Sequence, residues 1–349
     1  MKEPIGIKQI AKLAEVSIGT VDRVLHNRGG VSKITEQKIL DVIRKTGYRK
    51  NTVASRLRLG THKKVRIACL VPEAASHWKY WQFPKRGMDR AAAELHDHGI
   101  ELSYFYFSEP SAFLERSKVI LDKGFEGIVT VPFFTAESNA LLRGAQVNQV
   151  PVVFLDTEVS LDFPGWFICQ HAHRAGEVAG RLLQGLVGLG GIYLVLNIIN
   201  AKGLHENNRQ RESGFRKFLK KHDKKEIAEV VTINYPLDQP LETMPGMERL
   251  LLDKRRKGVF VTNSRAYMLP PVFRHYGVTG IPVVGFDLNE ENLECLRREE
   301  ISFLINQKPE YQGYHAVRGL FKFLTEKDAS GLHVDIPVEI VVRENLHSV

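Results

Sequence analysis

The sequence predicts a small all-α helix-turn-helix head joined to a large α/β body with two parallel, Rossmann-like sheets. Three observations carry that prediction. The first is a pair of short amphipathic helical stretches at the start, Ile7–Ala14 and Ile18–Leu25, with only Glu15-Val16-Ser17 between them. The second is charge. Residues 1–60 hold thirteen Lys and Arg against five Asp and Glu, so the head carries +8 of the chain's net +9. A neutral body with a basic head is the footprint of phosphate contact. The third is a series of short, nearly all-apolar runs separated by helical stretches, the mark of βαβ units and buried parallel strands.

In the head, Ile7, Ile10, Ala11 and Ala14 fall on one helical face. Ser17 is a good N-cap for the second helix, since its hydroxyl can accept from a free amide. Val21, Val24 and Leu25 point inward there, leaving Ile18, Gly19, Asp22 and Arg23 outward. Helices joined this tightly pack at a steep angle, which suits entry of the second into a DNA major groove. Ser32 caps a third helix over Lys33–Thr46, with Ile34, Ile39, Val42 and Ile43 as packing positions. Residues 51–59 form a short basic segment with an apolar stripe at Val53, Ala54 and Leu57.

The body begins at Val65. Apolar runs recur at 66–72, 102–107, 127–132, 150–156, 191–198, 258–262 and 281–287. Helices are expected over 83–96, 111–123, 137–147, 175–187, 208–221, 245–253, 267–276 and 293–299. The count is too high for one sheet. Two sheets of about six strands are expected, with a ligand in the crevice between them at the strand carboxyl ends.

Composition excludes several classes. No apolar run reaches the length of a membrane helix. The first residues already belong to a helix, so no secretion signal is expected. Cys69, Cys169 and Cys295 lie about a hundred residues apart, which offers no paired framework and points to reduced thiols in cytoplasm. There is no metal-ligand spacing, no G-x-S-x-G and no P-loop. Gly185, Gly188, Gly190 and Gly191 precede a strand, whereas a dinucleotide fingerprint follows one. No enzyme chemistry, metal or cofactor is therefore expected.

These residues together resemble the lactose-repressor (LacI) family of bacterial transcription regulators, over essentially the whole chain. The resemblance rests on IKQIAKLAEVSIGTVDRVLHNRGGVS (7–32), GYRKN, RQRESGF (209–215), VTNS (261–264), PVVGFD (282–287) and DIPVEIVVREN (335–345). It implies a head over 1–50, a hinge helix and linker over 51–64, and a two-lobed effector and dimerisation domain over 65–349. That domain is similar to periplasmic sugar-binding proteins of the ribose-binding type.

The resemblance places Ile18, Gly19 and Arg23 at base-reading positions. Ser17, Thr20 and Asn27 become phosphate-positioning donors. Arg23 has a physical case of its own, because a guanidinium pairs bidentately with guanine O6 and N7; simple phosphate contact is its other reading. Asp22 departs from the family's usual Ser, which puts the operator sequence in question. Ala54 and Leu57 match a hinge helix whose leucines wedge into the minor groove, an insertion that offsets a few kcal/mol of unstacking, and Arg56 is assigned to the same contact; an ordinary linker helix is the other reading. The Arg stands one place later than usual, which turns it about 100° around a helix.

In the body the resemblance assigns effector contacts to Tyr80, Trp81, Asp156, Arg211, Asn263, Asp287 and Gln307. Aromatic planes suit the apolar faces of a sugar, and polar groups suit its hydroxyl edge; Trp78 and Trp81 could equally pack beneath a loop. His171 stands where the family's D-N-x-x-A-G pattern has Asp, which implies a ligand unlike the commonest ones. The expected protein is a cytoplasmic homodimeric regulator, a repressor, that binds near-palindromic double-stranded operator DNA under control of a sugar or polyol. A transport binding protein of this fold needs a signal peptide and lacks a basic head. A sugar-modifying enzyme stays open, and turnover of a bound sugar would mark it.

Overall fold

The computed structural model describes residues 7–25, 29–46, 64–73, 79–199, 204–222, 228–237, 239 and 246–348. Asn27 and the hinge positions Ala54, Arg56 and Leu57 lie outside the described residues. The chain divides into two compact units, Met1–Lys64 with Asp97–Gly99, and Val65–His96 with Ile100–Val349.

The head consists of α1 (Ile7–Ala14), α2 (Ile18–Leu25) and α3 (Lys33–Thr46). Ile10, Ala11, Ala14, Val21, Val24 and Ile39 close its core. Ile10, Val21 and Ile39 are fully buried, worth about 1.5–3 kcal/mol each. α1 ends as Glu15 turns left-handed (φ 55°) and the Val16 amide donates to Ala11 O at 3.0 Å. Ser17 then caps α2, its Oγ accepting from the Thr20 amide at 3.0 Å. Ser32 caps α3 in the same way, from the Thr35 amide at 3.2 Å. One expected packing position is wrong. Ile34 is 85 % exposed, because five residues of helix put it about 140° around α3 from the buried Ile39.

The body holds two six-stranded sheets. The first contains β1 (Val65–Pro72), β2 (Ile100–Phe107), β3 (Gly127–Thr130), β4 (Val152–Leu155), β5 (Trp166–Gln170) and β11 (Val334–Ile336), in the order β11-β5-β4-β3-β1-β2. The second contains β6 (Ile192–Ile199), β7 (Glu229–Pro236), β8 (Lys257–Val261), β9 (Val283–Phe286), β10 (Phe303–Asn306) and β12 (Glu339–Val341), in the order β12-β10-β9-β8-β6-β7. All pairs are parallel except β10 with β12. Strands β3, β4 and β9 are buried along their whole length, as sheets covered by helices on both faces require.

The helices are α4 (Gln82–Glu94), α5 (Pro110–Asp122), α6 (Thr135–Val147), α7 (Ala172–Val187), α8 (Glu206–His222), α9 (Met247–Leu252), α10 (Leu269–His275), α11 (Glu290–Arg297) and α12 (Pro309–Glu326). Strands β5, β7, β10, β11 and β12 and helix α12 are additions to the elements read from sequence.

The chain crosses between lobes three times, after β5, between β10 and α12, and between β11 and β12. As a result α7 packs on α8 in the second lobe and α12 packs on α4 in the first. Both helix pairs meet at glycines. A Cβ on Gly176 would lie 1.9 Å from Arg211 O, and one on Gly214 would lie 1.9 Å from His173 O. Gly87 and Gly313 repeat the arrangement, with Cβ positions 1.9 Å from Glu310 O and 2.0 Å from Pro84 O. The three crossings meet at one side chain. Gln170 Nε2 donates to Asn306 O at 3.0 Å and to Pro337 O at 3.2 Å.

Candidate functional site

Between the lobes lies a cleft of about 380 Å³, a volume suited to a small ligand. Two strand ends frame it. VVFLD (152–156) and VVGFD (283–287) occupy the same third position of their sheets. Each ends on an Asp in left-handed backbone, φ 71° at Asp156 and 69° at Asp287. Short polar side chains tolerate that region better than most. The turn swings both carboxylates into the cleft, and both are buried.

Asp156 is held on every side. Its Oδ1 accepts from Tyr80 OH at 2.8 Å. Its Oδ2 accepts from Asn207 Nδ2 and from Thr157 Oγ1, each at 2.9 Å. Asn207 stands on the first turn of α8, so this contact spans the lobes. Burial, and the carboxylates of Asp156 and Asp287 nearby, push the Tyr80 phenol well above its usual pKa, so it stays a donor.

Arg211 is one helical turn further along α8 than Asn207. Its guanidinium lies 3.7 Å over the Phe286 ring. Nη1 donates to Thr262 O at 2.7 Å, and Nη2 donates to Gln307 Oε1. Gln307 Nε2 in turn donates to both oxygens of Asp287, at 2.8 and 3.0 Å. Of the five buried side-chain atoms without a hydrogen-bond partner among the described residues, two belong to cleft-lining residues, Arg211 Nε and Asn207 Oδ1. One is a donor and the other an acceptor, and such groups are costly while unpaired.

Burial pushes the Asp287 carboxyl up to about 7, against the opposing pull of Arg211 and the Gln307 amide. The folded state therefore binds this proton more tightly than the unfolded chain does. Stability from this group is full below the ordinary Asp value and is lost as pH rises through about 7. This contribution to the melting temperature should therefore fall from about pH 4 to about pH 7 and level off above that. The fall should be smaller in Asp287→Asn, measured by thermal unfolding of both proteins across that range.

Tyr80, Trp81, Asp156, Arg211, Asn263, Asp287 and Gln307 all line this one cleft. Trp81 is only 5 % exposed and packs edge-on against Tyr80 and Phe133, at 5.1 and 5.4 Å between ring centroids. It is mainly core. Asn263 Nδ2 donates to Ile198 O at 2.7 Å, which leaves its Oδ1 to accept from the Arg265 amide. His171 is not brought to the cleft. It is the exposed N-cap of α7, its Nδ1 accepting from the Arg174 amide at 3.4 Å. That role needs only a short-range acceptor before the helix, which is why a ligand reading of the position fails.

The cleft also contains residues that sequence reading missed. Phe133, His205, Asn207, Asn208, Arg265 and Tyr267 line it. Asn207 and Asn208 were discernible as the positions one turn before Arg211 on the same helix.

On the head, Ile18 is 39 % exposed, and Gly19 and Arg23 lie on the exposed side of α2. A Cβ on Gly19 would meet only Ser17 Oγ, at 3.7 Å, so packing within the head does not require glycine there. The Ser17 and Thr20 hydroxyls hydrogen-bond to each other at 2.8 Å.

Residues 67–328 match the periplasmic binding protein domain family, and residues 6–51 match the bacterial regulatory proteins of the lacI family. The chain belongs to the LacI family. This regulator is 24 % identical to the ribose operon repressor of Halalkalibacterium halodurans, over 97 % of this chain and 96 % of that one. In fold it is similar to a LacI transcriptional regulator from Bacteroides fragilis, at TM-score 0.73 and 22 % identity, over 82 % of this chain and all of that one. It is also similar to a periplasmic solute-binding protein of Actinobacillus succinogenes with bound D-allose. That match has TM-score 0.70 and 16 % identity, over 82 % and 100 % of the two chains. Among the described residues, no helix is long and apolar enough to cross a membrane, and no cluster of metal-ligating side chains occurs.

Proposed function

We propose that this LacI-family regulator is a cytoplasmic homodimeric repressor that binds operator DNA and is controlled by an aldose held between its lobes. The observation that carries the ligand class is the pair of unspent valences at Arg211 Nε and Asn207 Oδ1. A hydroxyl group both donates and accepts, so a polyhydroxylated ligand satisfies both. Tyr80, Phe83, Phe133 and Tyr267 add apolar surface to the same cleft. The ribose operon repressor and the D-allose-bound binding protein support an aldose in particular.

On the DNA side, Ile18, Gly19 and Arg23 form the reading face of α2, with Gly19 small so that the groove wall can approach. Ser17 and Thr20 position phosphates. Asn27, Ala54, Arg56 and Leu57 complete the interface by family resemblance. Arg23→Ala should cost about 1–3 kcal/mol on the cognate operator and relax preference at one base pair.

Two measurements test the reading. A thermal-shift screen of pentoses and hexoses should find an aldose that raises the melting temperature by mass action. That sugar should then change operator affinity in a gel shift, with little change on random DNA. A screen with no stabilising aldose would remove the ligand assignment. Equal affinity for all DNA sequences would remove the regulator's operator.

A further inference from the structure

We propose that Gln312 is the positioning residue that joins the two halves of the effector cleft and makes them respond as one. The proposal rests on the cleft being the effector site. Gln312 sits in the first turn of α12 and is completely buried. Its Oε1 accepts from the Asp156 amide at 2.9 Å. Its Nε2 donates to Gln307 O at 2.9 Å.

Those two contacts reach opposite sides of the cleft. Asp156 leads to Tyr80 and Asn207, and Gln307 leads to Asp287 and Arg211. Asp156, Asp287 and Arg211 are thus linked to this one amide through no more than one intervening residue. The Asp156 amide belongs to a residue in left-handed backbone, so its hydrogen bond also stabilises an unfavourable conformation.

The chemistry of the amide is specific. A carboxylate of the same length keeps the acceptor for Asp156 and loses the donor for Gln307. A thioether of similar volume loses both. The helix cannot slide to compensate. The next residue, Gly313, lies against α4 so closely that a Cβ would be 2.0 Å from Pro84 O. Pro84 follows the Tyr80 and Trp81 pair by one short turn, so α12, α4 and the aromatic wall are fixed together. A ligand that moves Asp156 or Asp287 therefore moves the start of α12.

Two variants test this in the full-length protein, with D-allose and D-ribose as probes. In Gln312→Met without sugar, the Asp156 amide should exchange with deuterium about ten-fold faster or more, since an exchange protection worth one hydrogen bond is lost. Amides of β6 should keep their protection. Gln312→Glu should bind the better aldose about ten-fold more weakly than wild type at about pH 8. At about pH 5.5 the two should converge, because a protonated carboxyl again offers one donor and one acceptor. Unchanged exchange at Asp156 in the Met variant would overturn the proposal. So would uniform loss of protection across both sheets, or a Glu variant that acid does not rescue. If neither sugar binds wild type, the aldose reading fails while the exchange measurement still decides the role of Gln312.

Discussion

Arg211→Ala is expected to abolish sugar-dependent control while leaving sugar-free operator binding intact. The guanidinium makes two hydrogen bonds to its own protein, and its buried Nε has no partner among the described residues. Hydrogen bonds to charged groups are worth about 1.5–3 kcal/mol, so aldose affinity should drop about 10- to 100-fold. Loss of stability should be smaller than removal of a buried cation suggests. Arg211 is what pulls the Asp287 pKa down, so without it Asp287 simply takes a proton at neutral pH. Calorimetric titration with the sugar and a gel shift without it separate the two effects. A variant that still binds sugar normally would place the ligand elsewhere.

Gly176→Ala should have the larger effect on folding. The added methyl would sit 1.9 Å from Arg211 O and 2.7 Å from its carbonyl carbon. Backbone atoms of a packed helix cannot yield as a side-chain tip can. α7 and α8 must separate, and overpacking of this kind costs about 1–3 kcal/mol or more. Because the clash falls on the backbone of Arg211 itself, sugar binding should decline together with the melting temperature. Gly214→Ala, which strikes His173 O on the reciprocal side, should behave alike. A Gly176→Ala protein with wild-type melting and wild-type sugar affinity would show that the helix pair is looser than this contact implies.

The parts of the fold that were legible in sequence are those whose residues bury a whole side or a whole strand. The head helices follow from Ile10, Ala14, Val21 and Val24 at helical spacing, and β1, β4 and β9 from continuous apolar runs. β7 was missed because it is an edge strand with a half-wet face, so Glu229, Thr232 and Asn234 interrupt its apolar pattern. α12 starts from a left-handed Lys308 before a proline, which reads as a loop rather than a helix start. Among the cleft residues, those ending strands were accessible to reasoning because strand ends face the crevice. Gln312 carried no such signal, since an isolated Gln in a helix is ordinarily solvated. His171 was misplaced for a related reason: the position before a helix can serve either the helix or a ligand, and only the coordinates distinguish these.

Gln170 has a mechanical consequence. Its amide nitrogen ties down the carbonyls of Asn306 and Pro337, so all three connections between the lobes are pinned within one hydrogen-bonding distance of a single side chain. A rotation of one lobe against the other that keeps both hydrogen bonds must turn close to Gln170, so the displacement it produces grows with distance from that side chain.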